Sequence, residues 1–107
     1  MSDKMRCSFS PMAELDLEEI ADFIALDNPR RALSFVRELR ERCLKITWFP
    51  EAIQLRPLLG EGIRLVPYGH YVICYKIQPG EVRIERIIAG ERNLPDLLGG
   101  AIKSDAN

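Results

Sequence analysis

GIRLVPYGHYVICYKIQPGEVRIERIIAGERN, residues 62–93, reads as three short strands joined by two tight turns. Over residues 70–77, Tyr71, Ile73, Tyr75 and Ile77 alternate with His70, Val72, Cys74 and Lys76. Over 82–88, Val82, Ile84, Arg86 and Ile88 alternate with Arg83, Glu85 and Ile87. A period of two over such lengths marks strands with one buried face. Between them, Pro79 supplies a fixed φ and Gly80 tolerates a positive one, the chemistry of a type II turn. The stretch therefore predicts an antiparallel meander that needs a layer on its apolar side.

That layer is legible upstream. Residues 6–10 form a short strand with Phe9 inward. Ser10 is positioned as a helix N-cap and Pro11 sits at the first helical position, where a missing N–H costs nothing. The first helix places Ala13, Leu17, Ile20 and Ile24 on one face. Glu14, Asp16, Glu18 and Glu19 crowd its early turns, favourably placed beside the positive end of the helix dipole and read as a solvated face. Asn28-Pro29 repeats the cap-and-proline device. A second helix follows, with Ala32, Phe35, Val36, Leu39, Cys43 and Ile46 as the matching stripe.

Pro50 and Pro57 forbid its continuation through the loop from Trp48 to Leu59. Leu94–Leu98 is expected to form one helical turn, and residues 99–107 a disordered tail. The expected class is α+β: a small antiparallel sheet on an N-terminal helical hairpin, order β-α-α-β-β-β, in one domain spanning 1–98.

Composition narrows the functions. No apolar run approaches the ~20 residues that span a bilayer, and the start MSDKMRCSF lacks a signal-peptide core, so a cytoplasmic protein is expected. Charge is nearly balanced at −1 overall but not along the chain. Residues 1–27 hold seven acids and two bases, and residues 28–47 hold six bases and two acids. An acidic helix beside a basic one suits two antiparallel neighbours; a basic face turned to an acidic partner or nucleic acid is the alternative. A pI near 5.8 makes the chain a poor magnet for phosphate backbones. Cys7, Cys43 and Cys74 are odd in number and set among apolar residues, so reduced, buried thiols are expected.

Residues from the first strand to the end of the meander and just beyond resemble the ParE branch of the RelE/ParE toxins, the toxin halves of bacterial toxin–antitoxin pairs. Ser10, Ala13, Asp16, Leu17, Ile20, Phe23 and Ile24 match the family's first-helix pattern. Asn28, Pro29, Ala32 and Phe35 match the opening of its second. Gly62, Arg64, Gly69, Tyr71, Ile73, Tyr75, Val82, Ile84, Arg86 and Ile87 follow its meander, which closes on Gly90 and Arg92. The resemblance covers residues 6 to 98. Ala89 stands where relatives often have His, and Asn93 where they have Asp.

The resemblance implies a toxin that inhibits DNA gyrase by protein–protein contact, without cofactor or metal. It also implies a ParD-like antitoxin partner whose disordered C-terminal segment folds on the toxin, with no operator DNA contact by the toxin itself. Arginine and aromatic side chains dominate interface energies, so the target-contact candidates are Arg92, Arg64, Arg83, Arg86 and Tyr68. Intramolecular ion pairing is the structural alternative for Arg92. The antitoxin-contact candidates are Leu15, Phe23, Leu26 and Val36, which fall off the strict core stripe; packing on the sheet or the neighbouring helix is their structural alternative. Trp48 and Phe49 read first as plugs at the helix end.

Catalytic material is sparse. The single histidine, His70, sits at a turn, and no glycine-rich phosphate loop occurs. Messenger-RNA cleavage by the RelE-type cousins uses an arginine on the middle strand, another after the last strand and a tyrosine near the C-terminus. Aligning the meanders puts Val72, Arg92 and Leu98 there, and valine and leucine can neither clamp a phosphate nor move a proton. Ribosome-dependent cleavage, or an inactive homologue that only binds antitoxin, are the alternative readings.

Overall fold

Seven acids and two bases precede Asn28, and the helices they create must find both an apolar floor and a partner for their charge. The computed structural model describes residues 5–90 and shows how this is met. The order is β1 (Arg6–Phe9), α1 (Pro11–Ala25), α2 (Pro29–Ile46), β2 (Arg64–Tyr68), β3 (Tyr71–Gln78) and β4 (Glu81–Ala89). The expected turn at Leu94–Leu98, the tail at 99–107, Arg92 and Asn93 lie outside the described residues.

Both helices start as their sequences dictate. The Ser10 side chain accepts from the Ala13 N–H at 3.0 Å and the Asn28 side chain from the Arg31 N–H at 3.1 Å, each followed by proline at the first helical position. Glu14 on α1 meets Arg40 on α2 at 2.8 Å. Because Glu14 is early in its helix and Arg40 late, the hairpin is antiparallel. Both partners of this pair are nearly half exposed, so it aligns the helices more than it stabilises them.

The sheet order is β1-β4-β3-β2. β2, β3 and β4 form the antiparallel meander, while β1 joins β4 in parallel, Arg6 opposite Glu81 through Phe9 opposite Ile84. The sheet is thus mixed, with antiparallel pairing confined to the meander. The crossover through two helices delivers β1 to the same end of the sheet from which β4 starts, which forces the parallel direction. Gly80 takes φ 75° in the β3–β4 turn, as the Pro-Gly pair requires.

The helices cover one sheet face. Ala13, Leu17, Ile20, Phe35, Leu39, Cys43 and Ile46 meet Val66, Ile73, Tyr75, Val82, Ile84 and Ile87 there. The Tyr75 ring is fully buried and its hydroxyl donates to the Pro50 carbonyl at 2.6 Å, tying the long loop to the core. In that loop Pro50–Ala52 and Pro57–Leu59 form single 3₁₀ turns, and Leu55 bridges to Arg64 at the outer edge of β2.

Two expectations about alternation change. The opposite sheet face is also apolar at one end, where Ile63, Leu65, Val72, Cys74 and Ile88 cluster with Leu59, so β3 is buried on both sides. Period two also fails within β4. Cys74 opposes Arg86 but Tyr75 opposes Ile84, leaving Glu85 without a partner. This β-bulge moves Ile87 to the helical side and Ile88 to the other, the reverse of unbroken alternation.

Candidate functional site

The bulge that reverses β4 also builds the floor of a surface groove. A bulge takes backbone groups out of the ladder, and those groups need partners. Here α1 supplies them. Ser10 Oγ, already the N-cap, donates to the Glu85 carbonyl at 2.7 Å. The Ile87 N–H donates to Asp16 Oδ2 at 2.9 Å. Asp16 also takes a two-pronged contact from Arg86, with Nε to Oδ2 at 2.8 Å and Nη2 to Oδ1 at 3.0 Å. The two side chains are 9% and 18% exposed, so the pair is held in a shielded, fork-shaped geometry. Donating these hydrogen bonds to Asp16 raises the Arg86 pKa above its ordinary value.

Asp16 was expected on a solvated face and is instead buried among Ala13, Leu17 and Ile20. Its position could have been found: residues 13, 16, 17 and 20 fall on one helical face, so an acid stood inside the apolar stripe. The bulge that it caps has no comparable signal.

Above this floor lies a groove of 260 Å³ between α1 and the end of β4, walled by Glu19, Phe23, Tyr71, Ile88 and Ala89. Because β1 pairs only with Glu81–Ile84, the later half of β4 faces this groove without a strand on that side. The α1 surface beside it mixes exposed acids, Glu18, Glu19 and Asp22, with exposed apolar side chains. Met12, Leu15, Phe23 and Leu26 are exposed, the last two at 69% and 87%. Leu15, Phe23 and Leu26 are therefore brought together on one helix surface. Val36 is not with them; it is half-buried against the core.

The target-contact candidates are scattered, and each described one has a partner inside the chain. Arg86 holds Asp16. Arg83 pairs with Glu85 at 3.3 Å. An Arg64 guanidinium N–H donates to the Ile53 carbonyl. Tyr68 donates to Glu38 at 3.2 Å, and Glu38 also takes Arg31 at 2.8 Å. Tyr68 stacks at a tilt on Phe35, with ring centres 5.8 Å apart. Trp48 and Phe49 do not plug the helix end: they are 62% and 74% exposed. Ile46, the last buried residue of α2, already closes the core there, and α2 ends before the aromatics can turn inward.

Nucleophilic chemistry has little support. Burial pushes the Cys43 and Cys74 thiols up to about 12, and it also raises the half-buried Cys7. A thiol held protonated is neither nucleophile nor metal ligand at neutral pH. Among the described residues no cluster of His, Cys, Asp and Glu could hold a metal ion. Nor is any described helix long and apolar enough to cross a membrane. His70 is exposed at the β2–β3 turn.

Comparison with known proteins gives a consistent result. The family model described as ParE toxin of type II toxin-antitoxin system, parDE, matches residues 7–94. A solved structure titled "Chromosomal ParDE TA system from P. aeruginosa" superposes with a TM-score of 0.72 at 24% identity, covering 84% of this chain and 100% of that one. At that identity the superposition speaks for the fold alone. No curated protein matches.

Proposed function

The chain belongs to the ParE toxin family of type II toxin–antitoxin systems, and from that premise we propose that it is a cytoplasmic, non-catalytic inhibitor of DNA gyrase, neutralised by a cognate ParD-like antitoxin. One observation carries the contact-based reading. This surface exposes the large apolar side chains Leu15, Phe23 and Leu26 among its acids, while the described arginines among the candidates are engaged within the chain. A catalyst would need the opposite arrangement, polar groups free and convergent on one point. The position equivalent to the RelE-type middle-strand arginine supports the same reading: Val72 is 3% exposed, inside the second apolar cluster.

The antitoxin segment binds along α1 and the adjoining groove. An unfolded segment can bury Phe23 and Leu26 as it orders, and the apolar area it covers offsets the entropy of ordering. Beyond Ile87, whose N–H is held by Asp16, the end of β4 that β1 does not reach gives such a segment a backbone to run beside.

The test is supercoiling and DNA cleavage by gyrase with antitoxin-free protein titrated in. Loss of supercoiling with accumulation of cleaved DNA is expected. Folded protein that leaves gyrase untouched would refute the gyrase assignment. Arg92 is proposed as a target contact, so Arg92→Ala should retain a wild-type thermal melt and lose growth arrest in cells; full toxicity would remove it from that role.

A further inference from the structure

The sheet face turned away from the helices changes character along its length. Towards the β3–β4 turn it carries Arg6, Lys76, Gln78 and Arg83, all at least partly exposed, as a solvated face should be. At the other end, where β4 finishes, Val72, Cys74 and Ile88 are 3%, 0% and 4% exposed. Leu59, Ile63 and Leu65 pack with them, but from the β2 side of β3. Ile88 lies on the other side, paired with Val72, and β1 stops at Ile84, short of it. Side chains stand nearly perpendicular to a sheet, so an isoleucine in that position with no layer above it would be largely wet. Its burial calls for a cover that none of the described elements on this face supplies.

We propose that the cover is residues 94–98 of the same chain. The N–H of Gly90 donates to the His70 carbonyl at 3.0 Å and its φ is 74°, so the chain leaves β4 at the apolar end of the face. The next apolar side chains are Leu94, Leu97 and Leu98, whose i, i+3, i+4 spacing places all three on one face of a helical turn that Pro95 suits at its start. Leu94 can lie up to about 14 Å from Gly90, and strand geometry puts Ile88, Val72 and Cys74 within about 15 Å of it. The other terminus does not reach. β1 begins opposite Glu81, about 23 Å along β4 from Ile88, and residues 1–5 span at most about 18 Å. Docking on this face leaves the α1 groove open, in keeping with Phe23 and Leu26 at 69% and 87% exposed. It also holds Arg92 at the end of β4, between Gly90 and the docked Leu94. The proposal does not rest on the toxin reading.

The test is methyl-labelled, full-length chain in solution, with nuclear Overhauser contacts read between leucine methyls at 94, 97 and 98 and those of Val72 and Ile88. Contacts within one molecule are expected. Cys74 and Cys43 give a second readout, because they lie on opposite faces of the sheet. In the triple variant Leu94→Ser, Leu97→Ser, Leu98→Ser, N-ethylmaleimide should label Cys74 at least about tenfold faster than in the parent, while Cys43 under the helices keeps its rate. The Overhauser contacts need no substitution, so they decide the question even where the variant unfolds. Four results overturn the proposal: no contact between those methyls, leucine contacts to Phe23 in the groove instead, contacts found only between molecules when labelled and unlabelled chains are mixed, or a folded variant in which Cys74 reacts no faster.

Discussion

Replacing Asp16 with alanine removes one carboxylate and strands two groups at once. Arg86 loses both of its hydrogen bonds, and the Ile87 N–H loses its acceptor inside the groove floor. Taking one partner from a buried ion pair costs about 3–5 kcal/mol, because the other charge stays desolvated. Arg86 keeps 18% of its side chain in solvent, which puts the expected loss near the lower bound, about 3 kcal/mol. That is a large share of the roughly 5–15 kcal/mol that holds a domain together. With a urea slope of about 1.5 kcal/mol per molar, the unfolding midpoint should fall by about 2 M. Asp16→Asn, which keeps an acceptor for Ile87 but not the charge, should lose about half as much. In Asp16→Ala/Arg86→Ala the stranded cation is gone, so the double loss should be at least about 1 kcal/mol smaller than the sum of the singles. A loss under about 1 kcal/mol in Asp16→Ala, or strict additivity in the cycle, would refute the argument that this pair is shielded and holds the bulge.

Ser10→Ala removes both the α1 cap and the bond to the Glu85 carbonyl, together about 2 kcal/mol, and should lower the thermal midpoint by about 10 °C in calorimetry. Phe23→Ser and Leu26→Ser remove exposed side chains and should leave that midpoint within a degree or two while weakening antitoxin binding at least about tenfold by titration calorimetry; unchanged affinity would move the antitoxin contact elsewhere. Alkali should destabilise the fold through Cys43 and Cys74. Their folded pKa values of about 12 lie above the ordinary 9.0, so their contribution is complete below pH 9 and is lost as the pH rises towards 12. Urea midpoints across that range should show a decline that is shallower in Cys43→Ala/Cys74→Ala, and equal slopes would contradict the assignment.

Elements that depend on local chemistry were legible from the residues alone. Ser10-Pro11 and Asn28-Pro29 set the helix starts, Pro79-Gly80 set the β3–β4 turn, and helical spacing named most of the core. What escaped depends on contacts between distant parts of the chain. The bulge at Glu85 arises where β4 must meet both β3 and α1, and no pattern within residues 82–88 reveals it. It alone explains why Ile87 and Ile88 exchange faces. The candidate site was half legible for the same reason. Leu15, Phe23 and Leu26 are exposed because they lie off the core face, as helical geometry requires, whereas Val36 lies close enough to that face to be covered. The arginines could be ranked by side-chain type, but Asp16 and the Ile53 carbonyl, the partners of Arg86 and Arg64, come from other elements of the fold; Glu85 lies only two residues from Arg83.

The pairing of β1 with β4 has a consequence for how the chain is made. Cys7 lies opposite Val82, so the first strand off the ribosome waits for the last one before it can join the sheet. At translation speeds of about 5–20 residues per second, that interval lasts roughly 4–15 s. During it, α1 and α2 can pair through Glu14 and Arg40, but the apolar stripe that they share has no floor. The sheet, and with it the floor for both helices, can therefore be completed only after β4 has been made.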